Sequence, residues 1–338
     1  MIQCNNSNIE LLKISYVGNR ISGELVKLAK GALWCDDLTK NLIGRYLLSN
    51  IEYNQLYKFI HSEGLEYNKV YGFASEIFEK KYSFEQIADD LSYLLYDKAY
   101  DKSTLGGYLF VVYFRDCFVD DIKTDALGIF KAETKDVFLK LNSEGSEISL
   151  SSEQGFALNK MDKGCIIFNV EKVDGYRLAI VNKPHSKANI KYWNEDFLCC
   201  IPIVNDYLNT QAILKAVGQF IKEQEGNQLA KAFLINKSLQ ETKKDTIDVN
   251  KILSTVSANE DDKKRINYLF STYTGTNEPM PNFVRLNSLA LKKVRLKSVL
   301  KLDDNFEIVF HGGENRIEKG VDEKTGMNYI KLLYEHDS

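Results

Sequence analysis

Apolar residues recur at helical spacing through much of the first hundred positions, so the first third of the chain reads as mostly helical. After Asp36 and Asp37, the residues Leu38, Leu42, Ile43, Tyr46 and Leu47 form one stripe, with Asp36 placed to cap the first turn. The spacing predicts further helices near Tyr67 to Glu79 and Phe84 to Lys98. Their stripes (Val70, Phe73, Ala74, Ile77; then Ile87, Leu91, Leu94, Leu95) are core positions.

From Gly106 the period shortens. Gly107 to Phe114 (GYLFVVYF), Ala126 to Phe130, Val137 to Leu141, Gly164 to Glu171 and Tyr176 to Val181 are short and rich in β-branched and aromatic residues. Turn chemistry such as Val173-Asp174-Gly175 separates them, which predicts strands. Connections this short join antiparallel neighbours, and only Asn142 to Lys163 leaves room for a crossover. An antiparallel meander covered by the helices before and after it places the chain in the α+β class.

Helical spacing returns over Asp206 to Glu223, Gln228 to Lys243, Asp248 to Val256 and Glu260 to Phe270. Asn259 can cap the last of these, with Glu260, Asp261 and Asp262 at the positive end of its dipole. The run Glu278-Pro279-Met280-Pro281 breaks the pattern and reads as a linker. Beyond it we expect a short helix capped by Ser288 and strands at about Leu296 to Leu302, Phe306 to His311 and Tyr329 to Tyr334. The expected organisation is an N-terminal helical and antiparallel-sheet domain (1–205), a helical region (206–277) and a basic C-terminal module (278–338).

Composition narrows the class. The 338 residues are 44% hydrophobic and 27% charged, with 4 Pro and 20 Gly, which excludes collagen-like and mostly disordered chains. The longest apolar runs fall far short of the roughly 18 residues a membrane-spanning helix needs. The opening Met1-Ile2-Gln3-Cys4-Asn5-Asn6 lacks the features of a secretory signal, so a cytoplasmic location is expected. The 6 Cys form no C-x-x-C pair and are expected as reduced thiols, and the 4 His are isolated from one another. No metal site and no cofactor are expected.

Charge supplies the main functional signal. The formal net charge of −3 hides an asymmetry: Arg285, Lys292, Lys293, Arg295, Lys297 and Lys301 lie between Pro279 and Leu302 without one acidic residue, leaving −9 on the remainder. Lys293 and Lys297 share a face if the segment stays helical; Lys297, Val299 and Lys301 share one if it becomes a strand. A cationic stripe anchored by apolar neighbours suits a phosphate backbone, whereas its alternative is a solvated face neutralised by acidic residues elsewhere. No zinc-finger, homeodomain or RRM pattern accompanies it, so base-specific readout is not indicated.

A second constellation is acidic. Asp116, Asp120, Asp121 and Asp125 precede Glu133-Thr134-Lys135, an order compatible with the Asp and E-x-K of Mg²⁺-dependent nucleases, although solvated hairpins have the same composition. Gly312-Gly313 reads as a turn because no Lys-Ser/Thr continuation follows, and no nucleophile elbow occurs. Trp193 is expected as a core or interdomain anchor.

Several blocks together resemble a known family. They are Val111-Val112-Tyr113-Phe114-Arg115-Asp116-Cys117, Asp125-Ala126-Leu127-Gly128-Ile129-Phe130-Lys131, Phe138-Leu139-Lys140, Leu158 to Asn169, Tyr192-Trp193 with Asp196-Phe197-Leu198, and Lys297 to Asp303 with Asn305-Phe306 and His311-Gly312. Spread over most of the chain, they resemble the bacterial nucleoid-associated protein family (NdpA-like, or YejK-like), in detail its Bacteroides-type branch. The resemblance implies a cytoplasmic, nucleoid-associated protein that binds DNA without an established reaction, and it supplies no catalytic residues. Combined with the charge asymmetry, the expected function is non-enzymatic, backbone-dominated binding of double-stranded DNA, with a homodimer doubling the basic surface. The alternatives are an adaptor that binds another nucleoid protein and a Mg²⁺-dependent nuclease using Asp120 or Asp125, Glu133 and Lys135.

Overall fold

The run GYLFVVYF has no polar face because it becomes a central strand covered on both sides. In the computed structural model, which describes residues 2–4, 9–144, 147–181, 191–225, 227–294, 296–302, 305–310 and 317–333, Leu109, Val111 and Tyr113 enter one core and Phe110, Val112 and Phe114 the other. The chain divides into two compact units, Met1–Ile203 and Val204–Ser338.

The first unit is built on an eight-stranded sheet with every pairing antiparallel. Strands β1 (Ile2–Gln3) and β2 (Ile9–Val17) both pair with β4 (Gly107–Val119) along one edge. The order then runs through β5 (Ile122–Ala132), β8 (Lys163–Phe168), β9 (Arg177–Val181), β3 (Ile51–Phe59) and β10 (Cys200–Pro202). Helices α2 (Lys69–Phe78) and α3 (Phe84–Asp97), with the π-helix Lys191–Leu198, cover one face; α1 (Asp37–Leu48) contributes Tyr46 and Leu47 to the other. Asp36 caps α1 as expected, accepting from the Thr39 amide at 2.7 Å. Trp193 is buried in the first core, 5.1 Å from the Phe197 ring.

The first third is less helical than its pattern predicts, because β2 and β3 are sheet strands. In β2 the alternation is masked by Lys13, which is buried among apolar neighbours and paired with Asp89 of α3 at 2.7 Å. The expected strand Val137 to Leu141 does form, but outside the main sheet. It is part of β6 (Asp136–Glu144), which pairs only with β7 (Glu147–Gly155) among the described residues. The stretch Asn142 to Lys163 therefore holds the return strand of a hairpin rather than a crossover. The expectation of six reduced thiols is also corrected, since the antiparallel register of β1 on β4 brings Cys4 to Cys117 as a disulfide. Cys35, Cys165, Cys199 and Cys200 are free thiols.

The second unit packs α4 (Asp206–Glu223), α5 (Gln228–Glu241), α6 (Val249–Val256) and α7 (Glu260–Thr274) around Ile213, Val217, Phe220, Ile252 and Phe270. Asn259 caps α7, accepting from the Asp262 amide at 2.9 Å. The short strands β11 (Thr246–Asp248) and β12 (Phe283–Arg285) pair with each other. They are followed by α8 (Ser288–Val294), then by the hairpins β13 (Val299–Lys301) with β14 (Glu307–Val309) and β15 (Ile317–Val321) with β16 (Asn328–Leu332). The cap of α8 is Asn287 rather than Ser288: its Oδ1 accepts from the amides of Leu289 and Ala290, both at 3.1 Å. These helices and hairpins belong to the second unit. Residues 206–277 and 278–338, read separately from the sequence, both fall within this unit. Among the described residues no helix is long and apolar enough to cross a membrane.

Burial of tyrosine gives the first unit a pH-dependent stability. Burial raises the phenols of Tyr46, Tyr113 and Tyr192, with Asp162, Asp125 and Glu133 respectively adding to the shift, and pushes Tyr53 up to about 12. A folded pKa above the unfolded value near 10 favours the native state fully below that value, and the contribution is lost as pH rises from it through the folded pKa. The urea midpoint should therefore fall between about pH 10 and 12; a midpoint flat across that window contradicts the burial of these phenols.

Candidate nucleic-acid interface

The basic segment is laid along α4 by a series of specific contacts. Thr210 Oγ1 accepts from the Asn287 amide at 3.2 Å, α8 packs against α4, and Leu296 rests where Gly218 leaves room, at a position a Cβ would approach to 2.7 Å. Lys293 lies 5.9 Å from the Tyr207 ring centroid. Along the same helix, Gln211 donates to the Tyr207 hydroxyl at 3.0 Å and accepts from Lys215 Nζ at 3.2 Å, so Tyr207, Gln211 and Lys215 form a ladder at i, i+4 spacing.

Lys215 is the cation that the sequence reading missed. Burial, and then the positive charge of Lys293, hold its ammonium below the ordinary lysine value. Lys293 and Lys215 thus share one electrostatic environment although 78 positions separate them in the sequence. The local signal was the polar run Tyr207, Gln211, Lys215 on a helix otherwise buried around most of its circumference. Nothing local linked it to the basic segment.

The other expected cations are placed as follows. Helix α8 ends at Val294, so Lys293 and Lys297 do not share a continuous helical face. Beyond it, Ser298 and Leu300 are buried while Lys297 and Lys301 are exposed, the alternation of an extended chain. Ser298 Oγ donates to the Ala232 carbonyl of α5, which fixes which side faces solvent. Arg285 and Lys292 are exposed, and Arg295 lies outside the described residues.

Elsewhere in this unit, several cations are neutralised locally. Lys244 pairs with Glu241, Lys263 with Glu260, Lys264 with Asp261, Arg265 with Glu223, and Lys331 with Glu318. Among the described residues, no carboxylate makes an ion pair with Arg285, Lys292, Lys297 or Lys301. The segment therefore presents uncompensated positive charge, which attracts an anion over the first Debye length.

The acidic constellation is not assembled as a metal site. Asp120 and Asp121 form the tip of the β4–β5 hairpin at φ 47° and 70°, the left-handed pair of a two-residue turn. Asp125 accepts from Tyr113 Oη at 2.8 Å and Arg115 Nη1 at 2.9 Å. Glu133 lies eight residues further along the chain, about 26 Å away at the rise of a strand. There it is buried between Lys131, at 3.1 Å, and Lys163. Lys135 stands 4.9 Å from the Tyr108 ring centroid rather than beside a carboxylate pair. Among the described residues no group of three or more His, Cys, Asp or Glu side chains is placed to hold a metal ion.

No curated protein sequence matches the chain. The family model for nucleoid-associated protein YejK matches residues 47–331, from the end of α1 to the last strand of the second unit. Because that match takes in most of the main sheet, all of the α4–α7 core and the basic segment, the chain belongs to the nucleoid-associated protein YejK family and has a nucleoid-associated role.

Proposed function

We propose that the protein binds double-stranded DNA through phosphate contacts made by the basic segment of its second unit, without chemistry on the DNA. The observation that carries this reading is that Arg285, Lys292, Lys297 and Lys301, clustered in one segment without an acidic residue, lack ion-pair partners among the described residues, while six other cations of the unit are paired. Lys293 and Lys215 add to the same surface. Contacts of this kind neutralise phosphates and release counterions, so binding depends on salt and little on sequence.

Fluorescence anisotropy with a labelled duplex tests the proposal directly. About six phosphate contacts give a log–log salt slope near −5, with the DNA intact afterwards in the presence of Mg²⁺. Absence of binding at the lowest salt would overturn the reading. The net charge of −3 favours one alternative in that event, an adaptor that reaches the nucleoid through a protein partner.

A further inference from the structure

The β6–β7 hairpin has the wrong face exposed for a solvated arm. Its register pairs Val137 with Gln154, Leu139 with Ser152, Leu141 with Leu150 and Ser143 with Ile148, so these residues share one face. Val137, Leu139, Leu141, Ile148 and Leu150 are between 62% and 77% exposed there. Asp136, Lys140 and Glu153 all lie on the opposite face. They are matched locally, Lys140 with Glu153 at 2.8 Å and Asp136 with Lys160 at 2.9 Å.

We infer that this face is the contact between two copies of the chain, packed hairpin on hairpin about a twofold axis. The area suits that occupant. Five aliphatic side chains exposed to this degree present ~600 Å², so two copies would bury ~1,200 Å² together, the lower end of the range for a stable specific interface. An uncharged, aliphatic face with Ser143, Ser152 and Gln154 at its margins offers nothing to a phosphate or a charged peptide. Against its own copy it leaves no charge unpaired, and a twofold axis makes one patch complementary to itself.

Strand physics requires a cover of this kind. A two-stranded hairpin is marginal alone in water, and β6 and β7 pair only with each other among the described residues. A second hairpin at the usual sheet-to-sheet spacing of about 10 Å supplies the missing layer.

Sedimentation velocity of the full chain tests the inference. The wild-type protein should sediment at twice the 38.7 kDa of one chain at micromolar concentration. L139E/L150E should shift it to the one-chain mass, raising the dissociation constant at least about a hundredfold, since two charges would enter the contact unpaired. Its thermal midpoint should stay that of the dissociated wild type, because both positions are exposed in one chain. S149E, on the opposite face, should leave the double mass intact. A wild-type protein at the one-chain mass at about 50 μM, or an L139E/L150E protein that keeps the double mass, would overturn the contact.

Discussion

Replacing Lys292, Lys293, Lys297 and Lys301 together with alanine should weaken binding to duplex DNA by about 10³-fold at 0.1 M salt. Each phosphate contact contributes about 0.9 to the log–log salt slope, so at this salt concentration each cation multiplies affinity by roughly eightfold and four multiply it by thousands. The slope itself should flatten by about four, and the loss should be nearly equal on unrelated DNA sequences. The four side chains are exposed, so the thermal midpoint of the second unit should move little. A variant that instead changed sequence preference, or kept the wild-type slope, would show that phosphates are met by another surface. Lys215→Ala gives a graded companion. Its ammonium is shielded on α4, so its removal should cost less affinity than Lys292→Ala, measured in the same titration.

Glu133→Ala should destabilise the first unit by about 3–5 kcal/mol, the cost of removing one partner from a buried charge cluster. Lys131 and Lys163 are directly opposite each other on β5 and β8, with side chains 0% and 2% exposed. Like charges opposite one another in a ladder repel, and Glu133 is the carboxylate that bridges them. Lys131 Nζ also donates to the Leu105 carbonyl at 2.7 Å, and Asp162 fixes the bridge by accepting from the amides of Glu133 and Thr134 at 2.8 and 2.9 Å. Burial already holds Lys131 below the ordinary lysine value, with Glu133 opposing the drop. Without the carboxylate, Lys131 must lose its proton or remain charged in the dry interior beside Lys163. In a unit of this size the thermal midpoint should fall by about 6–20 °C. Because burial lowers Lys131, the deficit relative to wild type should shrink as pH rises towards the unfolded lysine value of about 10.4. A loss below about 1 kcal/mol in urea unfolding would mean that the cluster is not ionised. The same substitution separates this reading from the nuclease one, in which Glu133 is a dispensable part of the framework and its loss affects only cleavage.

Those two sites differ in how far the sequence exposes them. The cations of the basic segment lie within seventeen positions of one another, and the absence of acidic residues among them is visible by inspection. Glu133 was visible only as part of a three-residue pattern, which gave no sign of its pairing with Lys131 and Lys163. Its two lysines enter the sheet as cross-strand neighbours, one of them thirty residues away in sequence. The link from Lys215 to the basic segment was hidden for the same reason: Lys293 lies on α8, and nothing local to α4 joins the two.

The α+β class, the helix over Asp206–Glu223 and the caps at Asp36 and Asn259 were determined by the sequence alone. The helix and both caps rest on interactions that close within about four residues, and the class follows from the change of period along the chain, so the pattern that encodes them can be read without long-range partners. The tertiary structure decided that β2 and β3 join the main sheet, that β6 and β7 leave it, and which charges are neutralised. Strand pairing and charge neutralisation depend on partners tens of residues away. Lys13 reads as a break in a strand until Asp89 arrives across the core to pair with it.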